Sequence, residues 1–193
     1  MKKQTLYRIS IVFALLFAFV SCNTKDMPEK AKAVTDFDVN RYLGTWYEIA
    51  RFDFRFEKDL DNTSAQYSLD ANGDVLVLNS GFHTKEKEWK KAEGKAKFRG
   101  NNTQGALKVS FFGPFYSGYT IVALDADYNY ALIAGKNLDY LWILSREKTI
   151  PTAVKEEYLA IAQEIGYDTS RLLWINHDKD SNPFLNEGGG LAK

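Results

Sequence analysis

From Gly44 onward, short stretches in which apolar and polar residues alternate are separated by turn residues. A period of two is typical of β-strands that bury one face, and repeated turn signals indicate an antiparallel barrel or sandwich. Eight stretches have this pattern: TWYEIARF, SAQYSLD, DVLVLNSGF, EWKKAEGKAKF, GALKVSFFGPF, YTIVALD, YALIAGK and DYLWILSR. Eight strands are the number at which a closed barrel can just hold one small ligand, and closure removes exposed strand edges. The pattern therefore predicts an all-β, eight-stranded antiparallel up-and-down barrel.

The segment after the eighth stretch has helical spacing. Pro151 stands near its start, Gly166 ends it, and an apolar stripe recurs on one face: Val154, Tyr158, Ile161, Ala162 and Ile165. We expect this C-terminal helix to pack on the outside of the barrel. RLLWINHD after it can add a last strand, and residues 179–193 are predicted to form a disordered tail.

The first residues of the chain predict a targeting signal rather than part of the fold. Basic residues precede a short apolar stretch that ends at Ser21 and Cys22, which is the order of an export signal. FVSC resembles the lipobox of bacterial lipoproteins, in which the Cys becomes the acylated first residue of the mature chain. We therefore expect a lipoprotein signal peptide over 1–21 and a lipidated Cys22 on a flexible tether over 22–34. An ordinary signal peptide with an incidental Cys is the alternative.

The residue after the Cys bears on destination. Asp at this position would resemble the inner-membrane retention signal of enteric bacteria, whereas this chain has Asn23. The resemblance therefore implies a protein anchored to the outer membrane of the cell envelope without spanning it.

Composition narrows the chemistry. The formal net charge is 0, from 25 basic and 25 acidic residues, so no long-range field favours nucleic acid as a partner. Cys22 is the sole Cys, His83 and His177 are the two His, and no HExxH, GxSxG or P-loop pattern occurs. We therefore expect no metal, no cofactor and no catalytic residue. Aromatic residues make up 15% of the chain, a surplus that suggests an apolar cavity.

Three segments, read together, carry a family resemblance. GTWYEIARF, DADYNYALIAG and LWILSR resemble, in order, the signature segments of the lipocalin family. FFGPFYSGYTIVALD and DYLWILSR are especially similar to the bacterial outer-membrane lipocalins, relatives of apolipoprotein D and the plant temperature-induced lipocalins. The resemblance implies a lipocalin domain over 35–178. It also implies a non-enzymatic protein that binds and stores or transports small hydrophobic ligands such as fatty acids or lysophospholipids.

The resemblance assigns structural roles at one end of the barrel. It implies that Gly44 and Trp46 lie at the closed end and that Arg146 covers the Trp46 indole. A cation–π contact of this kind contributes about 0.5–2 kcal/mol, depending on desolvation. We expect these residues to serve closure and folding rather than ligand choice.

Once the closed end is assigned, the alternation pattern predicts which residues face the interior of the barrel. Tyr140 and Trp142 share a face with Arg146, and Leu107, Val109 and Phe111 lie opposite the polar positions of their strand. The resemblance adds Tyr116 to the cavity or its mouth. All six residues are predicted to contact the ligand, although each aromatic residue among them could instead be ordinary barrel core.

Glu48 has the same parity as Trp46 and is predicted to face inward, as a seventh ligand-contacting residue. A carboxylate in an aromatic cavity is costly unless it is paired or bound by a ligand. Arg51, Arg146 and a Tyr hydroxyl are all candidate partners. No second positioned acid, base or nucleophile is visible beside Glu48.

Other functions stay open. A lipid-modifying enzyme of the calycin type would need a nucleophile or acid pair inside the cavity, and a structural envelope protein would fill its barrel with its own side chains. Tetrapyrrole carriage is a weaker variant, because His residues for axial ligation are scarce. Head-group preference and the oligomeric state, including a homodimer, do not follow from the sequence.

Overall fold

The computed structural model describes residues 27–185. Eight antiparallel strands form a closed barrel, in which β1 pairs with both β2 and β8, and a ninth short strand pairs with β1. The strands are β1 Gly44–Phe52, β2 Leu60–Leu69, β3 Val75–His83, β4 Glu88–Phe98, β5 Ala106–Phe112, β6 Phe115–Leu124, β7 Tyr130–Gly135, β8 Leu141–Ser145 and β9 Leu172–Trp174. The predicted eight-stranded barrel is confirmed.

The two ends of the barrel differ. At the closed end, a one-turn helix, α1 (Val39–Tyr42), precedes β1, and the side chains of Phe37, Tyr42 and Trp46 are buried. The other closed-end connections are 70–74, 99–105 and 125–129. The open end holds the loop 53–59 and the turns 84–87, 113–114 and 136–140. The alternation pattern did not reveal α1, because one turn is too short to show a helical period.

A second helix packs on the outside of the barrel, as predicted. This helix, α2, spans Thr152–Ile165 and ends at Gly166, whose φ of 113° is the left-handed conformation that glycine adopts readily. Tyr158 and Ala162 are buried against the barrel, and the Tyr158 hydroxyl donates to the Tyr130 carbonyl at 2.9 Å. The interior of the barrel and the layer beneath α2 form two separate apolar clusters.

The chain segments that flank the barrel are more ordered than the sequence suggests. Within the predicted tether, the Val34 amide donates to the Ile121 carbonyl and the Gly105 amide donates to the Val34 carbonyl. Met27 and Ala31 pack against the cluster beneath α2. The part of the tether from 27 to 34 therefore lies on the barrel. The predicted signal peptide and Cys22 fall outside the described residues.

The end of the described chain, residues 175–185, crosses the outside of the first strands, and we call it the C-terminal strap. The Lys179 amide donates to Asn62 Oδ1 at 2.8 Å, Asn182 Nδ2 donates to Ser80 Oγ at 2.8 Å, and Gln66 Nε2 donates to the Phe184 carbonyl at 2.7 Å. These contacts satisfy buried polar groups of β2 and β3, and the disordered tail over 179–193 stays a prediction. Within 27–185, no helix has both the length and the apolar character needed to cross a membrane.

Candidate functional site

A cavity of about 660 Å³ occupies the barrel interior and reaches the surface among the loops of the open end. This volume lies within the range of about 300–1,000 Å³ that is typical of small-molecule sites. The seven residues predicted to contact a ligand all line it: Trp142, Tyr116, Tyr140, Leu107, Val109, Phe111 and Glu48. Most of the remaining wall is also apolar, so the cavity suits a hydrocarbon chain.

The closed end is sealed by Trp46 and Arg146. Trp46 is fully buried, and the Arg146 guanidinium lies 3.9 Å from the centroid of its ring. Arg146 also donates hydrogen bonds of 2.8, 2.9 and 3.2 Å to the carbonyls of Thr45, Arg41 and Tyr128. Gly44 has a φ of 90°, a backbone conformation that glycine adopts readily and other residues rarely do, and it lies beside Arg146 Nη1. The structure thus places together the three residues that the resemblance assigned to closure.

Three tyrosine hydroxyl groups meet at the lower wall of the cavity. The Tyr42 and Tyr119 hydroxyl oxygens are 2.7 Å apart, and those of Tyr67 and Tyr119 are 3.0 Å apart. Burial raises the pKa of Tyr42 and Tyr119 well above the ordinary value and that of Tyr67 to about 12, so all three stay neutral. These tyrosines were not predicted from the sequence, because the closure of the barrel decides which strands bring their hydroxyl groups together.

Glu48 is paired inside the wall. Its Oε1 accepts hydrogen bonds from Arg51 Nη1 at 2.7 Å and from Thr63 Oγ1 at 3.1 Å, which identifies Arg51 among the candidate partners. Strict alternation would place Glu48 and Arg51 on opposite faces, but the β1–β8 register shifts between Glu48 and Ala50. This irregularity turns Arg51 to the same side as Glu48. Burial, only partly offset by Arg51, raises the pKa of Glu48.

Glu57 is a second acid at the cavity, where the sequence analysis found none. It lies in the loop 53–59, which Arg51 Nη2 holds by donating to the carbonyls of Glu57 and Leu60 at 2.7 and 2.9 Å. Trp142 Nε1 donates to Glu57 Oε2 at 3.2 Å, and Arg51 Nε lies 3.7 Å from the same oxygen. Burial, with a smaller contribution from the Glu48 charge, raises the pKa of Glu57 to about 8.

One sequence signal for this loop exists. In DFRFEKD, apolar and charged residues continue to alternate beyond the end of β1, although no strand is formed there. Phe54 packs edge-on against Trp142 with ring centroids 5.6 Å apart, so the alternation marks side chains that return to the cavity.

Aromatic side chains surround the mouth of the cavity. Phe56, Phe112 and Phe115 are 64%, 68% and 79% exposed, and Tyr116 is 40% exposed with the Lys108 ammonium 5.0 Å from its ring. The turn between β5 and β6 is short, since β6 begins at Phe115 and only Gly113 and Pro114 separate it from β5. A cis peptide bond joins these two residues.

Metal-binding groups are not part of this site. Among residues 27–185, no group of three or more His, Cys, Asp or Glu side chains is arranged to hold a metal ion.

Comparison with known proteins places these observations in a wider context. The sequence matches the Lipocalin-like domain over residues 37–177. It is 50% identical over 159 residues to "Outer membrane lipoprotein Blc" of Escherichia coli (strain K12), covering 82% of this chain and 90% of that protein. It is 34% identical over 153 residues to "Temperature-induced lipocalin-1" of Arabidopsis thaliana, covering 75% of this chain and 81% of that protein.

Solved structures agree on the fold. Insecticyanin from the tobacco hornworm Manduca sexta superposes with a TM-score of 0.60 at 24% identity, covering 76% of this chain and 84% of that chain. The cockroach allergen Per a 4 gives a TM-score of 0.62 at 21% identity, covering 78% of this chain and 95% of that chain. At these identities the likeness concerns the barrel alone.

Proposed function

The chain belongs to the lipocalin family, and on that premise we propose that it binds small hydrophobic ligands and stores or transports them in the cell envelope. Fatty acids and lysophospholipids are the ligand classes that we propose. The match to the family over residues 37–177 and the relative with 50% identity support the binding of hydrophobic ligands.

The observation that carries the proposal is the cavity. A barrel with a purely structural role would fill its interior with its own side chains, whereas this barrel leaves about 660 Å³ inside a mainly apolar wall. Each methylene group that moves from water into such a cavity contributes about 0.8 kcal/mol. A chain of a dozen carbons therefore keeps useful affinity after the entropy cost of binding is subtracted.

Binding without catalysis is the function that the charged residues favour. The Glu48 carboxylate is engaged by Arg51 and Thr63, and Arg51 is itself fully buried. The two acids of the cavity thus share one guanidinium within its wall. A general acid or base has to be free to exchange a proton with the reacting atoms, and the Glu48 carboxylate is instead engaged by donors of the protein.

We further propose that lipid chains on Cys22, such as palmitate, anchor the protein to the outer membrane. The export signal that ends at Cys22 supports this proposal, as do similar proteins named "Outer membrane lipoprotein" in Escherichia coli and Vibrio cholerae. Several acyl chains on one residue are enough for stable attachment, since two lipid anchors already suffice.

The experiment that tests ligand binding uses the chain from Asn23 onward, which lacks the lipidated Cys22 and contains every described residue. Native mass spectrometry of protein purified without detergent is expected to show a bound mass that matches a fatty acid or lysophospholipid. In a titration, lysophospholipid is expected to displace a fluorescent fatty acid saturably.

A matched pair of variants locates the binding. Val109→Trp fills the cavity and is expected to weaken fatty acid binding at least tenfold, whereas Lys97→Trp, an exposed position on the neighbouring strand β4 outside the cavity, leaves affinity unchanged. An empty protein that shows no saturable uptake of added lipid would refute the proposed function.

A further inference from the structure

We propose that Glu57 makes the cavity selective for amphiphiles that carry an ammonium group, such as alkylamines and lipids with an amino head group. The inference rests on the proposed function, because it assumes that a hydrocarbon chain enters the cavity. It adds the chemical class of head group that the wall recognises.

The charged groups around Glu57 are not balanced. Two carboxyl groups, those of Glu48 and Glu57, share the single guanidinium of Arg51. The Arg51 side chain is 0% exposed, and its Nη atoms already donate to Glu48 and to the carbonyls of Glu57 and Leu60. The Glu57 side chain keeps 14% of its surface accessible and lines the cavity. A ligand therefore encounters the Glu57 carboxyl group, while the Arg51 guanidinium is out of reach. Three lysines also line the cavity: Lys90 is paired with Glu86 and Glu88, Lys91 is paired with Glu93, and Lys136 lies over the Tyr140 ring.

The Glu57 carboxyl group leaves one of its oxygens open to a ligand. Trp142 Nε1 and Arg51 Nε both approach Oε2, at 3.2 and 3.7 Å. Among the described residues, no hydrogen bond to Oε1 is present, so this oxygen is available to a donor on a ligand. An ammonium group is a donor that also supplies the missing positive charge.

Aromatic rings next to Glu57 also favour an ammonium group, independently of the carboxyl groups. Three aromatic rings adjoin this position: Tyr140 and Trp142 have ring centroids 6.2 Å apart, and Phe54 packs edge-on against both. Aromatic faces attract ammonium groups, most strongly where water is excluded. The Lys136 ammonium already lies 5.3 Å from the centroid of the Tyr140 ring, so one cation of this kind is held at the edge of the cluster.

Proton exchange accompanies such binding. The groups that act on the Glu57 carboxyl are Glu48, Arg51 and Asp53 from β1 and the loop, and Trp142 from β8. Burial raises the pKa of Glu57 to about 8, so the carboxyl group of the empty protein holds its proton at pH 7. A bound ammonium pairs with the carboxylate form, and the displaced proton passes to the buffer.

The test compares ligands that have equal chains and different heads. Dodecylamine, dodecanol and dodecanoate compete against a neutral fluorescent probe for the chain from Asn23 onward. We expect the amine to bind about tenfold or more tightly than the alcohol, because hydrogen bonds to charged groups are the stronger ones. Glu57→Gln is expected to remove this preference for the amine over the alcohol.

Glu86→Gln is the matched control. It replaces a carboxyl group by the same amide at the same end of the barrel, on an exposed turn outside the cavity, and is expected to keep the amine preference. Equal affinity of amine and alcohol for the unmodified protein would overturn the inference. Failure of all three ligands to bind would instead refute the proposed function.

A second measurement needs no variant. Calorimetric titrations at pH 7, in buffers of different ionisation enthalpy, are expected to show proton release when dodecylamine binds and none when dodecanol binds. Lysolipids with ethanolamine and with glycerol head groups then separate a lipid source from a free amine. Amine binding without proton release would place the ammonium elsewhere and overturn the assignment to Glu57.

Discussion

Arg146 shows how one side chain can serve several neighbours. Its guanidinium covers the face of the buried Trp46 ring and donates to three backbone carbonyls, which come from the segment before β1, from β1 itself and from the β6–β7 connection. The planar fork of arginine suits this combination of stacking and hydrogen bonding, and lysine would provide neither in the same geometry. Arg146 therefore links the end of β8 to β1, to the segment before β1 and to the β6–β7 connection.

Replacement of Arg146 by Ala is expected to lower the free energy of unfolding by about 2–3 kcal/mol, since it removes the ring contact and leaves carbonyls unpaired. Arg146→Lys recovers only part of this loss. Urea unfolding measures both changes. Arg55→Ala removes an arginine from the exposed ring of Phe56, 4.8 Å away, and is expected to cost less than about 0.5 kcal/mol. Equal costs for Arg146→Ala and Arg55→Ala would contradict a role of Arg146 in closure.

Single side chains were predictable from the sequence where the strand period holds. Val109 and Phe111 lie on the cavity wall because β5 alternates as expected. Arg51 was left as one of several partners for Glu48, because the shift in register that brings it inward has no marker in the sequence. Glu57 escaped notice for a related reason: its position depends on backbone hydrogen bonds from Arg51.

The β4 and β5 strands meet through a glycine. A Cβ on Gly94 of β4 would lie 2.7 Å from Phe111 Cδ1, so the Phe111 ring rests directly on the backbone of the neighbouring strand. The ring thereby lines the cavity without crossing it. The absence of a side chain on β4 thus sets the width of the cavity at this point.

Gly94→Ala is expected to push the Phe111 ring into the cavity, with a loss of about 1–3 kcal/mol in stability from overpacking and a weaker affinity for long acyl chains. Chain-length series of fatty acids, titrated against both proteins, measure the change in affinity. Gly113→Ala, whose Cβ meets no atom within 4 Å, serves as the control and keeps both properties. If Gly94→Ala retained full affinity, Phe111 would not limit the cavity.

Among the larger elements, those with many periodic residues were recognisable. The eight barrel strands and α2 each repeat their pattern several times, and β9 followed from RLLWINHD. The α1 turn and the C-terminal strap were missed, since both are fixed by tertiary contacts rather than by their own periodicity. The strap is a run of polar residues whose partners, such as Asn62 and Ser80, lie far away in the sequence.

The whole molecule couples folding to protonation at the cavity. The pKa of Glu57 is raised from 4.5 to about 8, and that of Glu48 is raised in the same direction, in both cases chiefly by burial. An acid with a raised pKa stabilises the fold while it is protonated. The contribution of Glu57 is therefore fully present below pH 4.5 and is lost as the pH rises to about 8.

In Glu57→Gln, stability is expected to fall less steeply between about pH 5 and 8 than in the unmodified protein, by up to about 1.4 kcal/mol per pH unit. Urea midpoints measured across this range provide the slopes. Glu86→Gln is the control, because Lys90 lowers the pKa of this exposed acid and its titration falls below the range. Identical slopes for Glu57→Gln and the unmodified protein would show that Glu57 carries no proton there.

The C-terminal strap also bears on the order in which the chain can fold. β1 pairs with β8 and β9, and the strap bonds to β2 and β3, so the first strands are completed by the last described residues. Chains leave the ribosome from the amino terminus, and pairings between distant parts form slowly. The pairings that complete β1, β2 and β3 therefore have to wait until the last described residues are available.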